Sequence, residues 1–169
     1  MAEDLKIIAG TKEEMYSALL PQVKALLYGE TDLIANMANM VAALKEQFGW
    51  LWVGFYLVKP DSKSFGTAQD AEAELVLGPF QGPVACTRIK MGRGVCGVAW
   101  QNKATLIVPD VEKFPGHIAC SSLSQSEIVV AVFKKNQVVA VLDADSATLN
   151  SFDETDKKFL EEMVGLLGF

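Results

Sequence analysis

Three kinds of side chain in this chain have chemistry that a folded core does not require. They are the cysteines Cys86, Cys96 and Cys120, the carboxylates Glu127, Asp143 and Asp145, and the single histidine, His117. A thiolate with a second thiol in reach is the smallest set that supports reversible redox chemistry, through a sulfenic acid and then a disulfide. Taken singly, each cysteine is also at home as an inert core residue. Cys96 follows Gly92-Arg93-Gly94 at an expected helix start, where the helix N-terminus would lower a thiol pKa. Cys86 opens an expected strand beside Arg88. Cys120 lies three residues after His117 in an irregular segment, the kind of place where catalytic side chains are found. His117 either helps to ionise Cys120 or orients its loop, or it is a structural histidine bonded to backbone. Zinc held by Cys86, Cys96, Cys120 and His117 has the right ligand types, but no two cysteines form the tight pair of a zinc knuckle, so no metal is expected.

The carboxylates carry a geometric argument. Asp143 and Asp145 end a strand whose earlier members include Val139 and Val141, and residues two apart share a face of a strand. Both acids therefore extend a core-like valine row. Glu127 begins the preceding strand, and in a hairpin the start of one strand lies opposite the end of its partner. Three acids converging in a partly apolar place raise one another's pKa. One of them can then stay protonated at neutral pH as a general acid, or the group can bind an ammonium. The plainer alternative has Asp143 and Asp145 capping backbone amides and Glu127 solvated. Trp50 and Trp52 flank Leu51 and would share a face, in the core or as a pocket wall. The glycines of Gly92-Arg93-Gly94-Val95-Cys96-Gly97 resemble a phosphate loop, but no Lys-Ser/Thr follows; a tight turn beside a ligand is the expected use.

The elements that must hold these residues read in a simple order. Thr11 and Glu14 form a capping box opening a helix toward Leu27, with Pro21 expected to kink or divide it. Thr31-Asp32 starts a second helix along Leu33, Met37, Met40, Val41, Leu44 and Phe48, closed by Gly49. Leu51 to Val58 reads as a strand buried on both faces. Lys59 to Glu74 is polar and reads as a surface loop. Leu75–Leu77 and Cys86–Ile89 read as short strands around a turn from Gly78 to Pro83. A glycine turn then enters a short helix ending near Trp100, and Leu106–Val108 is another strand. Val111 to Gln125 is irregular. Glu127–Phe133 and Val138–Asp143 form a hairpin turned at Lys134–Gln137. Ser151 and Glu154 suggest a second capping box, opening a last helix with Phe152, Phe159, Leu160, Met163 and Val164 on its apolar face. The fold class is therefore α+β: helices over about 11–48 and 152–167, a mainly antiparallel sheet with its pocket over about 51–145. The helices cover one sheet face and the other is free for a pocket.

Composition narrows the function classes. At 169 residues the chain is one domain's worth, large enough to need no staples. Its net charge of −6 argues against nucleic acid and anionic membrane surfaces as partners. The longest apolar run, Leu51–Val58, is far short of a membrane helix. The acidic start Met1-Ala2-Glu3-Asp4 is unlike a signal peptide. Three cysteines without a CxxC do not make a disulfide scaffold, and a cytoplasmic location is expected.

The chain resembles the GAF-domain free methionine-(R)-sulfoxide reductases. The matching stretches are ETDLIANMANMVAALKEQFGW, WVGFYLV, LVLGPFQGPVACTRI, GRGVCGVAW, FPGHIACSSLSQSEIVV, VVAVLDADS and SFDETD. Generic GAF domains lack the cysteine trio and the GHIAC motif. The departure is the segment Lys59–Glu74, longer here than is usual in the family, which bears on access to the site or on the surface met by thioredoxin. The resemblance implies a single GAF domain over 1–169, a central antiparallel sheet with helices on one side and a small-molecule pocket on the other. It implies reduction of free L-methionine-(R)-sulfoxide, not the protein-bound form, with thioredoxin as reductant and no bound cofactor. By motif the catalytic cysteine falls on Cys120, its disulfide partners on Cys86 and Cys96, the pocket acids on Glu127, Asp143 and Asp145, and a pocket tryptophan on Trp52. GAF domains also pair through their helices, which would make a homodimer. The rival class is a GAF module that binds a small molecule without turnover; it would need neither the cysteine trio nor three converging acids.

Overall fold

The computed structural model describes residues 4–60, 73–118 and 121–169. The elements in chain order are α1 (Lys12–Leu27), α2 (Leu33–Phe48), β1 (Trp52–Pro60), β2 (Ala73–Gln81), β3 (Arg88–Lys90), α3 (Gly94–Asn102), β4 (Leu106–Val108), a 3₁₀ turn (Val111–Lys113), β5 (Ser126–Lys134), β6 (Gln137–Ser146) and α4 (Glu154–Val164). The strands form one sheet of order β3-β2-β1-β6-β5-β4, antiparallel at every junction.

Each sheet face carries its own core. On one face α1, α2 and α4 bury Tyr16, Leu19, Met37, Leu44, Phe159 and Leu160 against Val53, Phe55, Ile128 and Leu142. On the other face α3 packs Val95, Ala99 and Trp100 against Tyr56, Leu75, Val129 and Val141. The second face is thus not left open: α3 covers part of it, and the pocket lies between α3 and the sheet. Among the described residues no helix is long and apolar enough to cross a membrane.

The capping signals place the helices well. Thr11 and Glu14 form the expected reciprocal box, Asp32 accepts from Ala35 N, and Gly49 closes α2 in the left-handed region at φ 64°. Pro21, however, neither divides nor ends α1, which is continuous through it. A proline frees the carbonyl four residues earlier. Here that is Ser17, on the exposed side where water can satisfy it, and the Gln22 amide donates to the neighbouring Ala18 carbonyl at 2.9 Å. The last helix starts later than Ser151 would set it: Asp153 is its N-cap and Asp156 completes the capping box. Ser151 bonds instead to the hydroxyls of Ser146 and Thr148. Asp156 also accepts from the Tyr16 hydroxyl at 2.9 Å and pairs with Lys12, tying α4 to α1.

Two strand boundaries differ from the sequence reading. β2 runs through Gly78-Pro79-Phe80-Gln81, which the glycine and proline mark as a turn. The pairing slips between Gly54↔Phe80 and Tyr56↔Leu77, so Gly78-Pro79 occupies a bulge. A bulge is a place where a sheet tolerates both residues. Cys86 does not open a strand, since β3 begins at Arg88. The ends of the expected 59–74 loop are strand, in β1 to Pro60 and β2 from Ala73; the remainder lies outside the described residues. The β5–β6 hairpin turns at Lys135 and Asn136 with φ 48° and 64°, the two positive values of a tight type I′ connection.

Candidate functional site

The register of three strands assembles the site. Asp145 on β6 lies opposite Glu127 on β5 and opposite Trp52 on β1. Two residues along, Asp143 lies opposite Val129 and Gly54. Strand alternation puts Asp143 and Asp145 on the α3 side together with Val141, whereas Val139 packs with the core of the other face. The three acids thus converge as the hairpin argument requires. They line a cleft with Trp52, Tyr56, Val84, Cys96, His117 and Ser124. The empty space among the lining atoms is about 590 Å³ with the open mouth included.

Trp50 and Trp52 do not share a face. Trp50 precedes β1 and packs on Phe48 and Phe152 in the helical core, while Trp52 stacks on Phe80 and Tyr56 in the cleft wall. Trp52 lies over Gly54, where an added Cβ would sit 2.5 Å from the indole and 2.4 Å from the Phe80 Cβ. Gly54→Ala is therefore expected to displace Trp52, to cost about 1–3 kcal/mol as an overpacked core does, and to raise KM for the cleft's ligand. Chemical denaturation and steady-state kinetics check this; unchanged stability and KM would show that the indole is not held by that contact.

Burial dominates the electrostatics. Glu127 and Asp143 are 5% and 7% exposed. Burial pushes Glu127 well above the carboxylate range, and the charges of Asp143 and Asp145 push it further. Asp143 is raised well above it by burial and then by Asp145. Asp145 is raised to about 6 by burial, opposed by the Ser124 hydroxyl that donates to it at 2.5 Å. Such a site favours protonated carboxyls near neutral pH. One oxygen, Asp143 Oδ1, and the indole Nε1 of Trp52 are buried with no hydrogen-bond partner among the described residues. An acceptor and a donor left this way are groups that a ligand can satisfy.

Linkage gives a stability consequence. A carboxyl whose folded pKa is raised stays protonated in the folded state while the unfolded chain ionises, so stability falls as pH rises between the two values. For Asp145 that window runs from about 4 to about 6. Asp145→Asn is expected to gain stability relative to the parent across that window, by about 3 kcal/mol at most, and to hold that gain at higher pH. Melting temperatures of both proteins from pH 4 to 8 check it; a difference independent of pH would contradict the assignment.

Cys96 departs from its expected chemistry. It stands in the first turn of α3, but it is 3% exposed. Burial raises its thiol pKa well above the ordinary value, and the Asp143 and Glu127 charges add to this. These effects outweigh the helix terminus, so the thiol is held protonated and donates toward Asp143. Cys86 is half-buried, and its carbonyl accepts from the Tyr56 hydroxyl at 3.1 Å. Arg88, next to it but one, pairs with Glu74 at 3.2 Å. His117 Nε2 lies 3.7 Å from Glu127 Oε2, and burial lowers its pKa, which favours the neutral ring. Cys120 lies outside the described residues.

The structure adds residues that the sequence did not single out. Ser124 anchors Asp145, and Tyr56 reaches the Cys86 carbonyl from the cleft wall. The N-terminus of α3 has no side-chain cap, and Arg93 and Gly94 at that end line the cleft. Ser124 stands between Cys120 and Glu127, but its type and spacing carry no signal of its own.

Residues 30–169 match the GAF domain family model. "GAF domain-containing protein A" of Dictyostelium discoideum is 62% identical over 99% of both chains. "Free methionine-R-sulfoxide reductase" of Escherichia coli is 42% identical over 92% of this chain and 88% of its own. Among solved structures, free methionine-R-sulfoxide reductase from Neisseria meningitidis in complex with its substrate superposes with a TM-score of 0.88. It is 52% identical, covering 97% of this chain and 92% of that one. The chain belongs to the GAF-domain free methionine-(R)-sulfoxide reductase family.

Proposed function

We propose that this protein reduces free L-methionine-(R)-sulfoxide to L-methionine. The observation that carries the reading is the carboxyl cluster of buried Glu127 and Asp143 with half-buried Asp145 beside Trp52 in one cleft, in a chain whose relatives bear that activity in their names. A non-catalytic sensor would have no use for acids held protonated next to thiols.

The chemistry balances within the protein. Cys120 as thiolate attacks the sulfoxide sulfur, and the oxygen passes to its Sγ with a proton supplied by Asp143 or Glu127. Methionine leaves and Cys120 is a sulfenic acid. Cys86 then attacks that sulfur, the hydroxyl leaves as water, and a disulfide remains. The substrate gains two electrons and two protons, and the two thiols lose them. Thioredoxin reduces the disulfide by exchange. Cys96 enters this scheme as a protonated thiol bonded to Asp143, with a second resolving role open to it only if it loses that proton.

The same cleft accounts for choosing the free amino acid. Asp145, raised only to about 6, ionises near neutral pH and pairs with the substrate ammonium. The uncapped amides of α3 and Arg93 offer the positive end of a helix to its carboxylate. A methionine sulfoxide within a polypeptide has neither charge, because both its groups are amides. The thiol cycle requires a reducing compartment, so the protein works in the cytoplasm, and pairing through the N-terminal helices, where Tyr28 and Ile34 are exposed, makes it a homodimer.

The test is NADPH consumption with thioredoxin and thioredoxin reductase, offering free methionine-(R)-sulfoxide, the (S) epimer and N-acetyl-methionine sulfoxide separately. Turnover of the free (R) form alone is expected. Binding of methionine sulfoxide with no turnover by the reduced protein would favour the sensor.

A further inference from the structure

We propose that the floor of the cleft is a site for a divalent cation of borderline softness, Zn²⁺ being the type, held by Cys96, Glu127 and Asp143 with His117 as the fourth ligand. The metal is an inhibitory guest there and not a resident cofactor. One ligand atom from each of Cys96, Glu127 and Asp143 lies within 4.8 Å of the other two, and all three residues are buried. Metal–ligand bonds of about 2.0–2.3 Å put tetrahedral ligand atoms between 3 and 4 Å apart by roughly the same geometry. The cluster therefore needs a contraction that side-chain torsions can supply. His117 stands outside that group; its Nε2 is 3.7 Å from Glu127 Oε2 on a half-buried side chain at the same cleft, and it joins the set by turning inward.

A second observation points to a ligand independently of that spacing. Asp143 Oδ1 is buried with no hydrogen-bond partner among the described residues. An unsatisfied carboxylate oxygen at a sulfur–oxygen–nitrogen cluster is what an arriving cation would occupy. The donor set selects the metal: a thiolate with an imidazole and two carboxylates suits zinc and cobalt, whereas magnesium prefers six oxygens and keeps its waters. Among the described residues the set draws on Cys96, Glu127 and Asp143 and not on Cys86. Binding replaces the protons held by Cys96, Glu127 and Asp143, which pass to solvent as the thiolate and carboxylates take the metal, with no redox change.

The inhibitory consequence rests on the reductase reading, since the cation fills the place proposed for the sulfoxide group; binding itself does not. The test uses Co²⁺ as the probe on the full, reduced chain, followed by its near-ultraviolet sulfur-to-metal charge-transfer band and the intense visible bands of tetrahedral cobalt. One equivalent of Co²⁺ is expected to bind and to be displaced by Zn²⁺ but not by Mg²⁺. Cys96→Ser should remove the charge-transfer band, Cys86→Ser and Cys120→Ser should each keep it, and Glu127→Gln should weaken binding at least tenfold. Far-ultraviolet dichroism checks that Cys96→Ser folds, and the other three variants decide the matter should it not. In the thioredoxin-coupled assay Zn²⁺ should compete with the free sulfoxide. A band that survives in Cys96→Ser, or that vanishes in Cys120→Ser, would assign the metal to other thiols and overturn the proposal, as would the absence of tetrahedral cobalt. An inactive enzyme that still shows the cobalt spectrum would sink the reductase reading alone.

Discussion

Replacing Cys120 with serine is expected to take turnover of free methionine-(R)-sulfoxide to background while the fold and ligand affinity persist. The sulfoxide sulfur needs a soft nucleophile that can accept oxygen and then surrender it to a second thiol. A serine hydroxyl has neither the acidity to ionise near neutral pH nor a stable oxidised state from which to release water. Binding should survive, because the acids, Trp52 and Arg93 that line the cleft are untouched. Calorimetric titration with the sulfoxide, run beside the coupled assay, separates the two quantities. Near-normal turnover by Cys120→Ser would move the nucleophile to Cys86 or Cys96. Cys96 would be the harder case to make, since burial and two carboxyls hold its thiol protonated.

The second large effect is expected at Asp143. Asp143→Asn keeps the size of the side chain and removes its acidic proton, so it isolates proton donation. If Asp143 supplies the proton to the departing oxygen, kcat should fall by about 10²- to 10⁴-fold, the usual worth of a general acid, with a smaller change in KM. Glu127→Gln applied in the same way assigns the donor: the variant with the larger kcat loss marks it, because the two acids share one buried environment. The parent's kcat should decline as pH rises through the raised carboxyl pKa, since the protonated form is the active one. That decline should vanish in the donor's variant. A kcat that climbs with pH up to the thiol range and is indifferent to both amides would assign the proton to water.

The acids are legible in the sequence while the state of Cys96 is not, and the difference is physical. Strand alternation and hairpin pairing are local rules, and they suffice to bring Glu127, Asp143 and Asp145 together. Caps are local too, which is why Thr11, Asp32 and Gly49 read correctly. The state of a thiol depends on what is packed over it. The position of Cys96 in the first turn of a helix predicts an acidic thiol, but α3 lies against the sheet, so burial first and then the neighbouring acids disfavour its ionised form. Pro79 misled for a related reason. A proline signals a turn locally, and only the register slip opposite Phe55 shows it to be a bulge. Alternation alone would set Trp50 and Trp52 on one face, but alternation begins only where the strand does, at Trp52. Ser124 left no trace in the sequence because its role is defined wholly by the acid it meets across the cleft.

The most direct test of the account is a single turnover without any external reductant. Fully reduced protein, freed of small thiols, is mixed with excess free methionine-(R)-sulfoxide, and methionine and remaining protein thiols are counted together. The account predicts one methionine formed per chain and two thiols lost, with the new disulfide joining Cys86 and Cys120 by peptide mapping. Binding of the sulfoxide with all three thiols intact and no methionine formed would contradict it and leave a cleft that recognises the molecule without reducing it.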